Sequence, residues 1–241
     1  MVPSARMEAA DYLALAGKKT LIHLYINTVL LIISLLIMKQ NSTIRLTELL
    51  PTSGPIPHAL KIELQHQWYY GEAPLQPSTK YNGGRRQYVW PATGSDGGTE
   101  KAPGGLYGGK NPHVAPGALL AIPLHVSDTL NMSTTVGMKI KEALTTYGGY
   151  IVDDTGAGNS VAVCMESKVN DEMRKTYGFA MTYPEGVTSA RSDPGHILYE
   201  DLLLIFRSLH TVTNNGPQSI GGGGVPRKPK KPPICGDPSF S

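Results

Sequence analysis

The stretch His58-Ala59-Leu60-Lys61-Ile62-Glu63-Leu64 places an apolar residue at every second position from Leu60 onward. Leu60, Ile62 and Leu64 then share one face of an extended chain, with Lys61 and Glu63 on the other, which predicts a half-buried strand. A polar turn, Pro51 to Pro57, leads into it. Further along, Gln87-Tyr88-Val89-Trp90 reads as a second strand stopped by Pro91. Gly117 to Val126 reads as a third, apolar on both faces as inside a pair of packed sheets. Tyr150 to Asp153 and Ser160 to Met165 flank the turn Thr155 to Asn159 and read as a hairpin. Ala92 to Pro116 is glycine-rich and lacks an apolar period, which marks a long surface loop of the kind that is often functional.

Two helices interrupt the strands. Thr134 to Tyr147 carries Val136, Ile140, Ala143, Leu144 and Tyr147 as one stripe, with Ser133, Thr134 or Thr135 as cap and Gly148-Gly149 as stop. Its Lys139 and Lys141 are expected in water. Ile197 to His210 follows the start signal Asp193-Pro194 and is expected to bury Leu198, Leu202, Ile205 and Leu209. With 27 glycines and 19 prolines in 241 residues, many turns join short elements. The expectation is a mainly β, α+β domain over 42–220, an antiparallel sandwich-like fold with one or two packed helices.

Upstream, Thr20 to Met38 is uncharged and fenced by Lys18, Lys19 and Lys39. Nineteen helical residues would span roughly 28 Å, near the thickness of a bilayer's hydrocarbon core. No small-residue cleavage site follows, so the run reads as an uncleaved transmembrane signal anchor, with 1–19 cytoplasmic and the domain exported to the cell surface or periplasm. His23 and Asn27 are polar within it, and a buried core helix is the alternative. Asn41-Ser42-Thr43 and Asn131-Met132-Ser133 are glycosylation-type triplets, in keeping with export.

Downstream, the tail over 221–241 carries Arg227, Lys228, Lys230 and Lys231 against Asp237, which accounts for the whole net charge of +3. The domain itself is neutral and offers no broad basic face for nucleic acid. Proline stiffens this cationic tail, which suits an acidic glycan or lipid surface. Cys164 and Cys235 permit one disulfide outside the cytosol, although Cys164 lies in an apolar run and equally reads as a small buried hydrophobe.

Few residues signal chemistry. No spacing points to a metal site, and neither phosphate loops nor dinucleotide fingerprints occur, so no cofactor is expected. The acidic candidates are Asp153 and Asp154, at a strand end, and Asp96 in a glycine turn. Consecutive strand residues point to opposite faces, so Asp153 and Asp154 cannot serve one substrate together, and bonding to turn amides explains each acid without catalysis. Rings cluster with glycine in Trp68-Tyr69-Tyr70-Gly71, around Trp90 and in Leu106-Tyr107-Gly108. Such rings can stack on the apolar face of a pyranose, or Trp68 and Trp90 can belong to the core. The readings carried forward are a non-catalytic polysaccharide-binding module using Trp68, Tyr69, Tyr70, Trp90 and Tyr107, a carboxylate-based glycan-cleaving enzyme, and a structural envelope protein.

The ordered set His58-Ala59-Leu60-Lys61, Val89-Trp90-Pro91-Ala92 with Asp96-Gly97, Gly117 to Pro123, Tyr147-Gly148 to Val152-Asp153-Asp154-Thr155, Leu209-His210 to Asn214-Asn215-Gly216-Pro217, and Gly221 to Pro226 resembles a group of poorly characterised secreted bacterial proteins, often carbohydrate-associated. The resemblance spans about Ser42 to Pro233. It implies an exported β-rich domain and no particular catalytic residue.

Overall fold

The computed structural model describes residues 12–14, 23–24, 43–71, 88–95, 107–155, 160–166, 169–179 and 194–222. The expected strand forms as β3 (Leu60–Leu64) and lies deep inside one mixed sheet. On one side it runs parallel to β5 (Gly149–Asp154), and on the other antiparallel to β6 (Ser160–Val163). β5 pairs in turn with β4 (Leu119–Ala121), and β4 with β7 (His210–Val212), both antiparallel. Short outer strands, β1 (Tyr12–Ala14) beside β7 and β2 (His23–Leu24) beside β6, complete the order β1-β7-β4-β5-β3-β6-β2.

Three sequence expectations are corrected here. The Tyr150 and Ser160 segments are strands but not a hairpin, because β3 inserts between them and takes hydrogen bonds from both. The run Gly117 to Val126 is not one strand. Pro123 ends it, and Leu124–Ser127 turns into the short helix α2. Residues 88–90 form no strand, and Trp90-Pro91 instead makes a turn with a cis peptide bond.

The helices supply the layer that a second sheet was expected to provide. α3 (Thr135–Thr146) begins where Thr134 Oγ1 accepts from the Gly137 amide at 2.9 Å. It ends where Gly148, at φ 70°, turns left-handed and donates to the Ala143 carbonyl. Its stripe Val136, Ile140, Ala143 and Leu144 is buried as expected. α5 (Pro194–Arg207) starts at the predicted proline and buries Leu198, Leu202 and Ile205, but it stops short of His210, which belongs to β7. α1 (Leu46–Leu49) and α4 (Val169–Tyr177) complete the set.

Alternation divides the sheet's residues between two faces. Leu60, Ile62, Leu64, Leu120, Ile151, Val161 and Val163 join the main core with α1, α3, α4 and α5. Leu119, Ala121 and Val212, with half-buried Tyr150 against them, form a smaller cluster on the opposite face. The domain is therefore α+β, one sheet with helices on one side.

Buried polar groups fasten the helices. Asp201 on α5, 2% exposed, accepts from the amides of Ser133 and Thr134 and from Thr134 Oγ1, all within 2.8 Å. It thus holds the α3 cap from a neighbouring helix. Lys139, expected in water, is 7% exposed. Its ammonium donates to the carbonyls of Ser53 and Gly54 and to Ser53 Oγ at 2.7–2.8 Å, pinning the loop before β3 to α3. Lys141 likewise turns inward, toward the carbonyls of Ser127 and Leu130. A helical stripe predicts only where apolar residues go, and loop carbonyls decide the rest.

Of the run Thr20 to Met38 only His23–Leu24 is described, paired with Ser160–Val161. Among the described residues no helix is long and apolar enough to cross a membrane. The tail beyond Gly222 lies outside the described residues.

Candidate functional site

The parallel pair β3 and β5 directs both carboxyl ends, Leu64 and Asp154, to the same edge of the sheet. The loops that follow or precede neighbouring strands converge there. Residues 65–71 leave β3 through a 3-10 turn at His66–Trp68. Residues 107–117 arrive at the same end because β4 is antiparallel to β5, and the Gly117 amide donates to the Ile151 carbonyl. Gly117 has φ 91°, and a Cβ there would lie 2.0 Å from the Val89 carbonyl oxygen, so only glycine lets segment 88–92 close against it.

The three segments interlock through their backbones. Tyr70 donates to the Val114 carbonyl, Gly71 to Gly109, Gly109 to Tyr69, and Val89 to Pro116, all at 2.8–3.0 Å. The aromatic–glycine segments singled out by sequence thus form one cluster. Glycine's role there is close approach, since a Cβ on Gly71 or Gly109 would meet the Tyr107 or Trp68 carbonyl at about 2 Å.

Within the cluster the rings differ. Tyr69 and Tyr107 are buried, packed edge to face with centroids 4.8 Å apart, and neither offers a ring face to solvent. The Tyr69 hydroxyl donates to the Asp153 carbonyl, tying the loop to the end of β5. Their expected place on an exposed platform is corrected accordingly, because the sheet's end needed covering by apolar groups. Trp68, Tyr70 and Trp90 are half-buried, and Trp68 packs partly on the main core.

The acids regroup as well. A register shift between Ile62 and Glu63 sets Asp153 opposite Glu63 on β3. Asp154 pairs by backbone with Leu64, and Asp96 lies outside the described residues. The cross-strand neighbour of Asp153 is therefore Glu63, which the alternation had placed on the polar face. Glu63 is 7% exposed. It accepts from the Cys164 thiol at 3.4 Å. Burial above all, then the charge and hydrogen bond of Glu63, push that thiol far up, with Lys61 acting weakly against them and Asp153 adding to them. Cys164 is free and buried, the setting of an inert rather than a reactive thiol. Opposite Lys61 stands Tyr150, pushed up to about 12, chiefly by burial, with the Asn215 hydrogen bond opposing.

Gln65, one residue past β3, was missed by the sequence reading. It is 4% exposed, and its Oε1 has no hydrogen-bond partner among the described residues. The available signal was its place between the alternating strand and the aromatic run. Among the described residues no group of His, Cys, Asp and Glu is arranged to hold a metal ion. No family model, no curated protein and no solved structure matches the chain.

Proposed function

We propose that the chain is an exported surface module that binds polysaccharide without catalysis, through the loop cluster at the carboxyl ends of β3 and β5. The observation that carries this reading is the convergence of three aromatic–glycine segments, with half-buried Trp68, Tyr70 and Trp90, beside the polar ends of two parallel strands. Crevices at strand carboxyl ends are habitual ligand sites, and a ring next to hydrogen-bonding groups suits the two sides of a pyranose. Affinity electrophoresis through polysaccharide gels tests it. Trp90→Ala and Tyr70→Ala should each weaken retention about tenfold, the loss of roughly 1.4 kcal/mol of stacking, with circular dichroism unchanged. Wild-type retention in both variants overturns the reading.

Glycan cleavage is the second reading, favoured by the register of Glu63 with Asp153. Adjacent strands lie about 4.8 Å apart, which puts two such carboxylates near the ~5–10 Å that glycoside hydrolysis uses. Burial of Glu63 and its bond from Cys164 make it a poor group to meet a polymer, so binding is preferred. Release of reducing ends that Asp153→Asn abolishes would reverse that order.

Membrane attachment rests on the hydropathy of Thr20 to Met38 alone. Pairing of His23–Leu24 with β6 competes for the same residues. Carbonate extraction separates the two: an anchored chain stays with the membrane, and a chain spending these residues on the sheet is released.

A further inference from the structure

We infer that the polysaccharide bound at this edge is acidic, and that the Lys110 ammonium, on the turn beside Tyr70, meets its carboxylates. This rests on the carbohydrate-binding reading above and names the chemistry that its site selects. The turn is fastened to the ring-bearing loop by its backbone. Tyr70 pairs with Gly109 in an isolated parallel bridge and donates to the Val114 carbonyl at 2.8 Å. Between these anchors the chain turns through 110–113, closed by the Val114 amide donating to the Asn111 carbonyl and by Asn111 Oδ1 accepting from the His113 amide. Lys110, Pro112 and His113 are exposed on this turn, and Tyr70 at its base is half-buried. The neighbouring Gly71, Gly108 and Gly109 add no side chain that would obstruct a ligand lying across both.

Charge is unevenly divided along the chain. The segments of the cluster, 65–71, 88–95 and 107–117, contain no aspartate or glutamate, and over the whole stretch 65–117 five cations stand against three acids. Residues 119–220, which supply most of the sheet and the larger helices, carry seven cations against eleven acids. The chain's end adds to the cationic side. β7 and β5 are both antiparallel to β4 and so parallel to each other, and the chain therefore leaves β7 at the edge where β3 and β5 end. Gly221 and Gly222 are tied back to that exit, since Asn215 Oδ1 accepts from the Gly221 amide at 3.0 Å and the Asn214 amide group donates to the Gly222 carbonyl at 2.7 Å. The tail with Arg227, Lys228, Lys230 and Lys231 thus starts from the edge that bears the ring cluster.

A uronate fits this arrangement. A pyranose stacked on a tyrosine carries its carboxylate on the rim of the sugar, so a cation on the loop beside the ring can meet it while the ring holds the apolar face. Lysine is a compact charge on a flexible stem, able to follow carboxylates along a polymer. His113 adds a ring nitrogen that can donate to a hydroxyl or carboxylate. The acids of this edge belong to the strands and not to the loops: Glu63 is buried and Asp153 half-buried.

The test titrates the full chain calorimetrically, at about 0.15 M and about 0.5 M salt, with hexasaccharides of galacturonate and mannuronate and with uncharged ones of β-glucan, xylan and mannan. At least one acidic hexasaccharide should bind about tenfold tighter than the best uncharged one, and the higher salt should weaken it. Lys110→Gln should weaken that binding about three- to fivefold, the range of an exposed ion pair, and flatten its salt dependence, whereas Lys110→Arg keeps both. Neither change should move the melting temperature, because the side chain is exposed. A full chain with R227Q, K228Q, K230Q and K231Q separates the tail's charge from the site and should still depend on Lys110 and Tyr70. Tightest binding to an uncharged hexasaccharide, lost in Tyr70→Ala, overturns the acidic assignment and leaves the binding reading standing. Acidic binding that Lys110→Gln leaves at wild-type strength and salt dependence overturns the role of Lys110. Binding of no oligosaccharide, or acidic binding that the four tail changes abolish while Trp90→Ala and Tyr70→Ala leave it intact, removes the binding reading itself.

Discussion

The helix face of this sheet and its carboxyl-end edge both bury polar side chains, but they treat them differently. On the helix face, Asp201 has three donors and Lys139 three acceptors, each within hydrogen-bond distance. At the edge, Gln65 keeps a sealed acceptor that no donor among the described residues meets. Satisfied burial fixes a fold, because removing either partner strands the other. Incomplete burial leaves the domain less stable than its packing allows, and such deficits gather where a ligand is expected to act. The contrast sets the scaffold apart from the proposed site within a single sheet.

Asp201→Ala probes the scaffold most severely. It leaves the amides of Ser133 and Thr134 and the Thr134 hydroxyl without their acceptor under a packed helix, and should cost about 3–4 kcal/mol in urea unfolding. Asp201→Asn, which keeps one acceptor oxygen, should recover part of this. Lys139→Met comes next, at about 1–3 kcal/mol: two loop carbonyls lose their donor, while relief of a buried charge offsets some of the loss. If both changes cost no more than Gln65→Met, the two regions do not differ and the contrast fails.

Much of the scaffold was legible because periodicity reports burial directly. The stripe Val136, Ile140, Ala143 and Leu144 and the alternation of Leu60, Ile62 and Leu64 lie where their spacing put them, and the helix is capped by Thr134, one of the three candidates, and stopped by Gly148, the first of the two glycines. What periodicity does not carry is which strands are neighbours. Tyr150 to Asp153 and Ser160 to Met165 look like a hairpin because the chain between them is short, yet β3, nearly a hundred residues earlier in sequence, separates them. That insertion buries Glu63, brings it opposite Asp153 and closes solvent off from Cys164, none of which local pattern contains. The rings were legible as a set through their glycines. Their division into buried Tyr69 and Tyr107 against half-buried Trp68, Tyr70 and Trp90 was not, since it depends on loops meeting at a sheet edge.

Tyr150 offers the gentlest test, because it lies on the face opposite the helices yet away from the loop cluster, against Leu119, Ala121 and Val212. Burial lifts its hydroxyl from the usual tyrosine range to about 12 in the folded protein. Below pH about 10 the hydroxyl is protonated in both states and its ionisation does not affect stability. Between about 10 and 12 the unfolded chain loses the proton first, so the unfolded state is favoured and stability falls as pH rises. Because the ring is only half-buried, the loss should stay below about 2 kcal/mol after solvent screening. Tyr150→Phe removes this contribution, so its urea midpoint should fall less than that of wild type between pH 9 and pH 11.5, the remaining tyrosines affecting both proteins alike. Parallel decline of the two would mean that Tyr150 ionises freely in the folded state, and that the face opposite the helices is wetter than the burial of Leu119 and Ala121 implies.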